Sequence, residues 1–83
     1  MQGNTVYVPK PELTFFQDTY LECEFIKVED KNRYRLRVKS VLIGNGNPLP
    51  DLTARNEDSV IIVNKKKVYD SIESLKMGSK NLL

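Results

Sequence analysis

A chain of 83 residues, 40% of them hydrophobic, makes one small domain, close to the size at which a single core only just stabilises a fold. Its 13 basic and 11 acidic residues leave a net charge of +2, which excludes a protein held to nucleic acid by bulk charge alone. With no histidine and one cysteine, the usual acid–base, nucleophilic and zinc constellations cannot be assembled, so no enzyme, metal or cofactor is expected.

The longest apolar runs, Val41 to Ile43 and Val60 to Val63, are too short to span a bilayer. Met1 to Lys10 lacks the basic region and apolar core of a signal peptide, and Cys23 has no partner for a disulfide. A cytoplasmic, intracellular setting without membrane contact is the expectation. Part of the stability of so small a domain is expected from a partner or from homo-oligomerisation.

Taken in order, Met1 to Asn4 reads as loose and Thr5 to Val8 as a short edge strand ended by Pro9 and Pro11. Leu13, Phe15 and Phe16 form an apolar knot, either one helical turn or an irregular packing segment. Adjacent side chains point different ways in any regular element, so one phenylalanine is expected in the core and the other against an edge or a partner.

Tyr20 to Ile43 carries the strongest pattern. Leu21, Cys23 and Phe25 alternate with Glu22 and Glu24, and Tyr34, Leu36 and Val38 alternate with Arg33, Arg35, Arg37 and Lys39. Period-two alternation on both sides of Glu29 to Asn32 predicts a β-hairpin. A four-residue loop there sets Val28 opposite Arg33, Phe25 opposite Leu36, Cys23 opposite Val38, Glu24 opposite Arg37 and Glu22 opposite Lys39. One face is then apolar, with Cys23 as a small buried hydrophobe, and the other carries opposite charges across the strands. Ile26 breaks the alternation and suggests a bulge.

Ser40 to Ile43 lengthens the second strand to ten or eleven residues, long enough to bend into a barrel. Gly44 to Asp58 reads as a long loop, because Pro48 and Pro50 weaken a tight hairpin at Asn45-Gly46; one helical turn is placed over 51–56. Ser59 to Val63 reads as a buried strand and Lys65 to Lys67 as a loop tip. Val68, Ile72 and Leu75 have helical spacing, capped by Asp70 or Ser71 and stopped at Gly78; alternatively Val68 and Tyr69 pair with the strand before them and the helix starts at Asp70. The fold class is therefore mainly β (β or α+β): a small curved antiparallel sheet or partly open barrel of the OB or SH3-like kind with one short C-terminal helix. One domain covers 1–83, with flexible ends near 1–4 and 79–83.

Two surfaces follow. The first reading is a non-enzymatic interaction module, a regulator or inhibitor, that binds a protein partner through the long loop and a sheet edge. Its contacts are Phe15, Phe16, Tyr20, Asn45, Asn47, Leu49, Leu52 and Arg55. The alternative is a nucleic acid partner: single-stranded DNA or RNA on the row Arg33, Arg35, Arg37 and Lys39, whose cations recur about every 7 Å, with Lys65, Lys66 and Lys67 as further phosphate contacts and Tyr69 or Tyr20 for stacking. Against the alternative, Tyr34 points away from the arginines and Glu22 and Glu24 neutralise part of the row.

Overall fold

The computed structural model describes residues 4–16 and 18–78, so the expected loose ends lie outside the described residues except at Asn4. The described residues form five strands: β1 (Thr5–Pro9), β2 (Thr19–Asp30), β3 (Arg33–Ile43), β4 (Asn47–Pro48) and β5 (Val60–Asn64). Two short helices, α1 (Pro50–Asn56) and α2 (Ile72–Met77), and two 3-10 turns at Pro11–Leu13 and Lys65–Lys67 complete the order. All strand pairs are antiparallel, β1-β2-β3-β4 in space with β5 also on β3. The sheet is not closed, and its order singles out neither barrel type.

The apolar alternation does its expected work on one face. Val6, Val8, Leu21, Cys23, Leu36, Val38, Val41 and Val68 form the buried core. Phe25 and Tyr34 close its hairpin end, ring edge to ring face with centroids 5.2 Å apart.

The hairpin keeps the pairs Phe25–Leu36, Cys23–Val38 and Glu24–Arg37, and Ile26 is the extra residue of a bulge. Two predicted pairs are corrected. Lys39 is also bulged, so Glu22 faces Ser40 and Lys39 reaches Thr5 Oγ1 at 3.2 Å. The four-residue loop is replaced by a two-residue turn at Lys31-Asn32 in which Asp30 faces Arg33 and Val28 faces Tyr34. Asp30 explains this, since Oδ1 accepts the Asn32 amide at 2.9 Å while Oδ2 accepts from Arg33 Nε at 2.9 Å and Nη2 at 2.7 Å.

The segment after β3 is not an open loop. Gly46, at φ 105°, lets the chain turn back so that Asn47 pairs with Ile43. The helical turn expected over 51–56 is α1, and it covers the β3 edge that β4 and β5 leave free. Leu49 N–H donates to Val41 O at 2.9 Å, Val41 N–H donates to Thr53 Oγ1 at 2.9 Å, and Asp58 N–H donates to Val38 O at 2.8 Å. A helix, a side chain and a loop together replace the missing strand.

Tyr69 joins β1 rather than β5, exchanging two backbone hydrogen bonds of 2.8 Å with Tyr7, while the Val68 N–H closes the 3-10 turn on Lys65 O. Ser71 caps α2 by accepting the Ser74 amide at 3.0 Å, and Gly78 ends it at φ 69°. Among the described residues no helix is long and apolar enough to cross a membrane.

Candidate functional site

Two threonines, Thr14 and Thr19, hold the backbone of Phe16. Thr14 Oγ1 accepts the Phe16 amide at 2.8 Å, and buried Thr19 donates its hydroxyl to Phe16 O at 2.8 Å. The two hydroxyls lie 2.6 Å apart, so Thr14 can donate to Thr19 once Thr19 has donated to Phe16. This clip closes the turn with its own hydrogen bonds and turns both phenylalanines outward.

Phe15 is fully exposed, at 104% of its reference area, and Phe16 is 58% exposed. The expectation that one of them lies in the core is therefore overturned: the clip fixes the turn on the surface, and Leu13 alone of the apolar knot packs against the core. Leaving a phenylalanine in water forgoes about 2–3 kcal/mol of burial, and the fold recovers none of it at Phe15.

Phe16 lines a shallow hollow of about 310 Å³ with Thr14, Leu49, Pro50, Asp51 and Leu52. Four of the residues expected to meet a protein partner thus lie in one region: Phe15, Phe16, Leu49 and Leu52. Arg55 is exposed further along α1. Asn45 and Asn47 belong to the β3–β4 turn, where Asn45 Oδ1 accepts from Lys76 Nζ of α2 and Asn47 is exposed.

Tyr20 is corrected. It is 1% exposed, its hydroxyl donates to Gly44 O at 2.9 Å, and its ring meets Tyr7 edge-on at 6.1 Å. It pins the β3–β4 turn to β2 and offers no surface for a partner or for base stacking. Burial raises its pKa, with the neighbouring Tyr7 adding to the shift.

The cationic row is real and mostly engaged. Arg33 holds Asp30, Arg37 Nη1 lies 3.6 Å from Glu24, and Arg35 Nε lies 2.8 Å from Glu29 Oε1. The Arg35 pair is an ionic contact whose N–H does not align as a hydrogen bond. Lys65 to Lys67 sit beside the hairpin tip, tied there by Lys65 N–H to Asn32 O at 2.9 Å. Tyr69 lies beyond β1, with β1 and β2 between it and the arginines, although Lys67 and Tyr69 line one hollow of about 480 Å³ with Glu12 and Asn64.

Cys23 is buried at 0% exposure, and burial pushes its thiol up to about 12. A thiol so placed cannot act as a nucleophile at neutral pH. Among the described residues, no three carboxylate or thiol side chains gather as a metal site.

Two features escaped sequence reasoning. The clip was legible only as a threonine pair flanking the phenylalanines, a weak signal without the fold. The Ser59 to Val63 run, read as buried, is instead an edge with Val60 52% and Ile62 44% exposed, because nothing among the described residues pairs with its outer side.

No protein-family model matches the chain, and no curated protein or solved structure matches it.

Proposed function

We propose that this chain is a non-enzymatic protein-binding module whose contact surface is the displayed pair Phe15 and Phe16 with the neighbouring start of α1. The observation that carries the reading is the fully exposed Phe15 on a turn closed by the Thr14–Thr19 clip. A preorganised aromatic anchor loses little conformational entropy on binding and supplies a large apolar area, the combination typical of interface hot spots. Leu49, Pro50 and Leu52 continue the apolar surface, so the partner is a protein presenting an apolar side chain or ridge. A regulator or inhibitor is the role that suits a module of this size. The buried, strongly protonated Cys23 and the lack of histidine support a non-catalytic role.

The test is quantitative capture of partners by the wild-type chain and by a Phe15→Ala, Phe16→Ala double variant. Both side chains are exposed, so the variant is expected to keep the wild-type melting temperature while losing the captured protein. Recovery of the same proteins by both forms refutes the reading.

One observation favours the nucleic-acid reading as a second candidate. Residues 24–39 and 60–67 carry nine basic against three acidic residues, while the rest of the chain carries four against eight. Against it, Arg33, Arg35 and Arg37 each hold a carboxylate, and Tyr34 turns inward onto Phe25. Fluorescence anisotropy with single-stranded DNA and RNA at low and physiological salt separates the two: binding that weakens with salt and is lost in Arg33→Ala, Arg35→Ala supports this reading, and no binding at low salt removes it.

A further inference from the structure

We propose that a second copy of this chain docks on the free edge of β5, the two β5 strands pairing antiparallel about a two-fold axis through Ile62. Register identifies the free groups. Lys65 N–H bonds to Asn32 O and Val38 N–H to Ser59 O, so the alternation of an antiparallel ladder turns the backbone groups of Ile61 and Val63 toward β3 and those of Val60, Ile62 and Asn64 away from it. Val60 and Ile62 have no backbone partner there among the described residues, while the Asn64 carbonyl opens the 3-10 turn at Lys65–Lys67.

The other margins of the sheet are guarded. The outer side of β1 is occupied at Tyr7 by Tyr69, and Pro9 has no N–H to offer. The part of β2 beyond β1 carries bulges at Ile26 and Glu29 and the charges of Lys27 and Asp30. Residues 60–63 of β5 have no charge, no proline and no bulge, the features by which soluble proteins protect an edge.

The ends of the strand name the occupant. Glu57 and Asp58 precede β5, and Lys65, Lys66 and Lys67 follow it, all five exposed. An antiparallel pair centred on Ile62 sets Val60 opposite Asn64 of the second copy and brings Glu57 and Asp58 to its lysine run, at both ends of the contact at once. A parallel pair would bring lysines to lysines. In the two-fold arrangement Ile62 meets its own mate on the outer face. Ile61 and Val63, half-exposed along the hollow they share with Val8 and Leu13, gain cover on the inner face. A five-residue edge buries less than the about 800 Å² per partner of a standard interface, so association is expected in the micromolar range.

Sedimentation velocity from about 1 µM to about 1 mM tests the proposal, with a reversible monomer–dimer equilibrium weakened by salt as the expected result. Ile62→Lys, at an exposed position, is expected to weaken dimerisation by about tenfold or more, since two cations then face each other across the axis. Two further variants, Lys65→Glu with Lys66→Glu and Lys67→Glu, and Glu57→Lys with Asp58→Asn, are each expected to be monomeric alone and to form a heterodimer when mixed. Asn is chosen at position 58 because Asp58 has φ 68°, which asparagine tolerates. Circular dichroism melts establish that each variant is folded. A wild-type chain that stays monomeric throughout, a dimer unchanged in Ile62→Lys, or folded charge variants that fail to associate on mixing would each overturn the proposal. Because Phe15 and Phe16 are not part of β5, the double variant used to test partner binding should dimerise normally.

Discussion

Thr53→Val isolates the unusual way in which the β3 edge is completed. Thr53 Oγ1 is the acceptor for the Val41 amide, at 2.9 Å, and Val41 is 0% exposed. Valine has nearly the same shape but no acceptor, so the substitution leaves that amide buried and unpaired. Val41 O keeps Leu49 N–H, so one group is orphaned rather than two. An unsatisfied buried donor costs about 1–3 kcal/mol, and about 2 kcal/mol corresponds to a fall in melting temperature of about 10 °C for a domain of this size. Thr53→Ser keeps the hydroxyl and loses one methyl, for a cost of about 1 kcal/mol or less. Thermal unfolding followed by circular dichroism compares the three forms, and hydrogen exchange at Val41 reports the site itself. If Thr53→Val melts with the wild type, or if valine and serine behave alike, the hydroxyl does not complete the edge and the account of α1 as a substitute strand is wrong.

Three other outcomes follow from named groups. Cys23 should resist alkylation at pH 8 until the protein unfolds; because its folded pKa, about 12, lies above the ordinary thiol value of 9.0, its contribution to stability is full below pH 9 and is lost as pH rises towards 12, with raised Tyr7 and Tyr20 acting in the same direction. Cys23→Ala should flatten that alkaline decline in a pH series of denaturant melts while lowering stability at neutral pH. Asp30, held by the Arg33 guanidinium and the Asn32 amide, should titrate below the usual aspartate value of 3.8 by carboxyl NMR, and Arg33→Ala should bring it back up. Because that pKa is depressed, its contribution is present above the ordinary value and is lost as pH falls through the lowered one. Tyr20→Phe removes the hydrogen bond to Gly44 O and should cost about 1 kcal/mol in denaturant unfolding; an unchanged midpoint would show that the turn does not depend on it.

Of the candidate surface, the phenylalanines could be named from the chain because adjacent apolar side chains cannot both face one core, and the leucines at 49 and 52 because they lie in the long segment between two strands. That Phe15 is displayed rather than buried could not, since two threonine hydroxyls five residues apart meet only after β2 has fixed Thr19. Tyr20 failed as a surface residue for a related reason. Its partner, Gly44 O, is 24 residues away, and nothing near position 20 announces it.

What the amino-acid sequence determined by itself is the local alternation: the hairpin, its apolar face, the pairs around Cys23 and Phe25, the bulge at Ile26 and the short helix ended by Gly78. Each follows from period-two patterning within one hairpin or from capping within one helix, where steric preference and patterning act directly. Only the tertiary structure decided that α1 fills the β3 edge, that Tyr69 closes the β1 edge, and that β5 is left open with Val60 and Ile62 in water. The run Val60 to Val63 has the same composition whether or not a strand lies beside it. Edge or centre is a property of what else packs there, and burial is set by that neighbour rather than by the residues themselves.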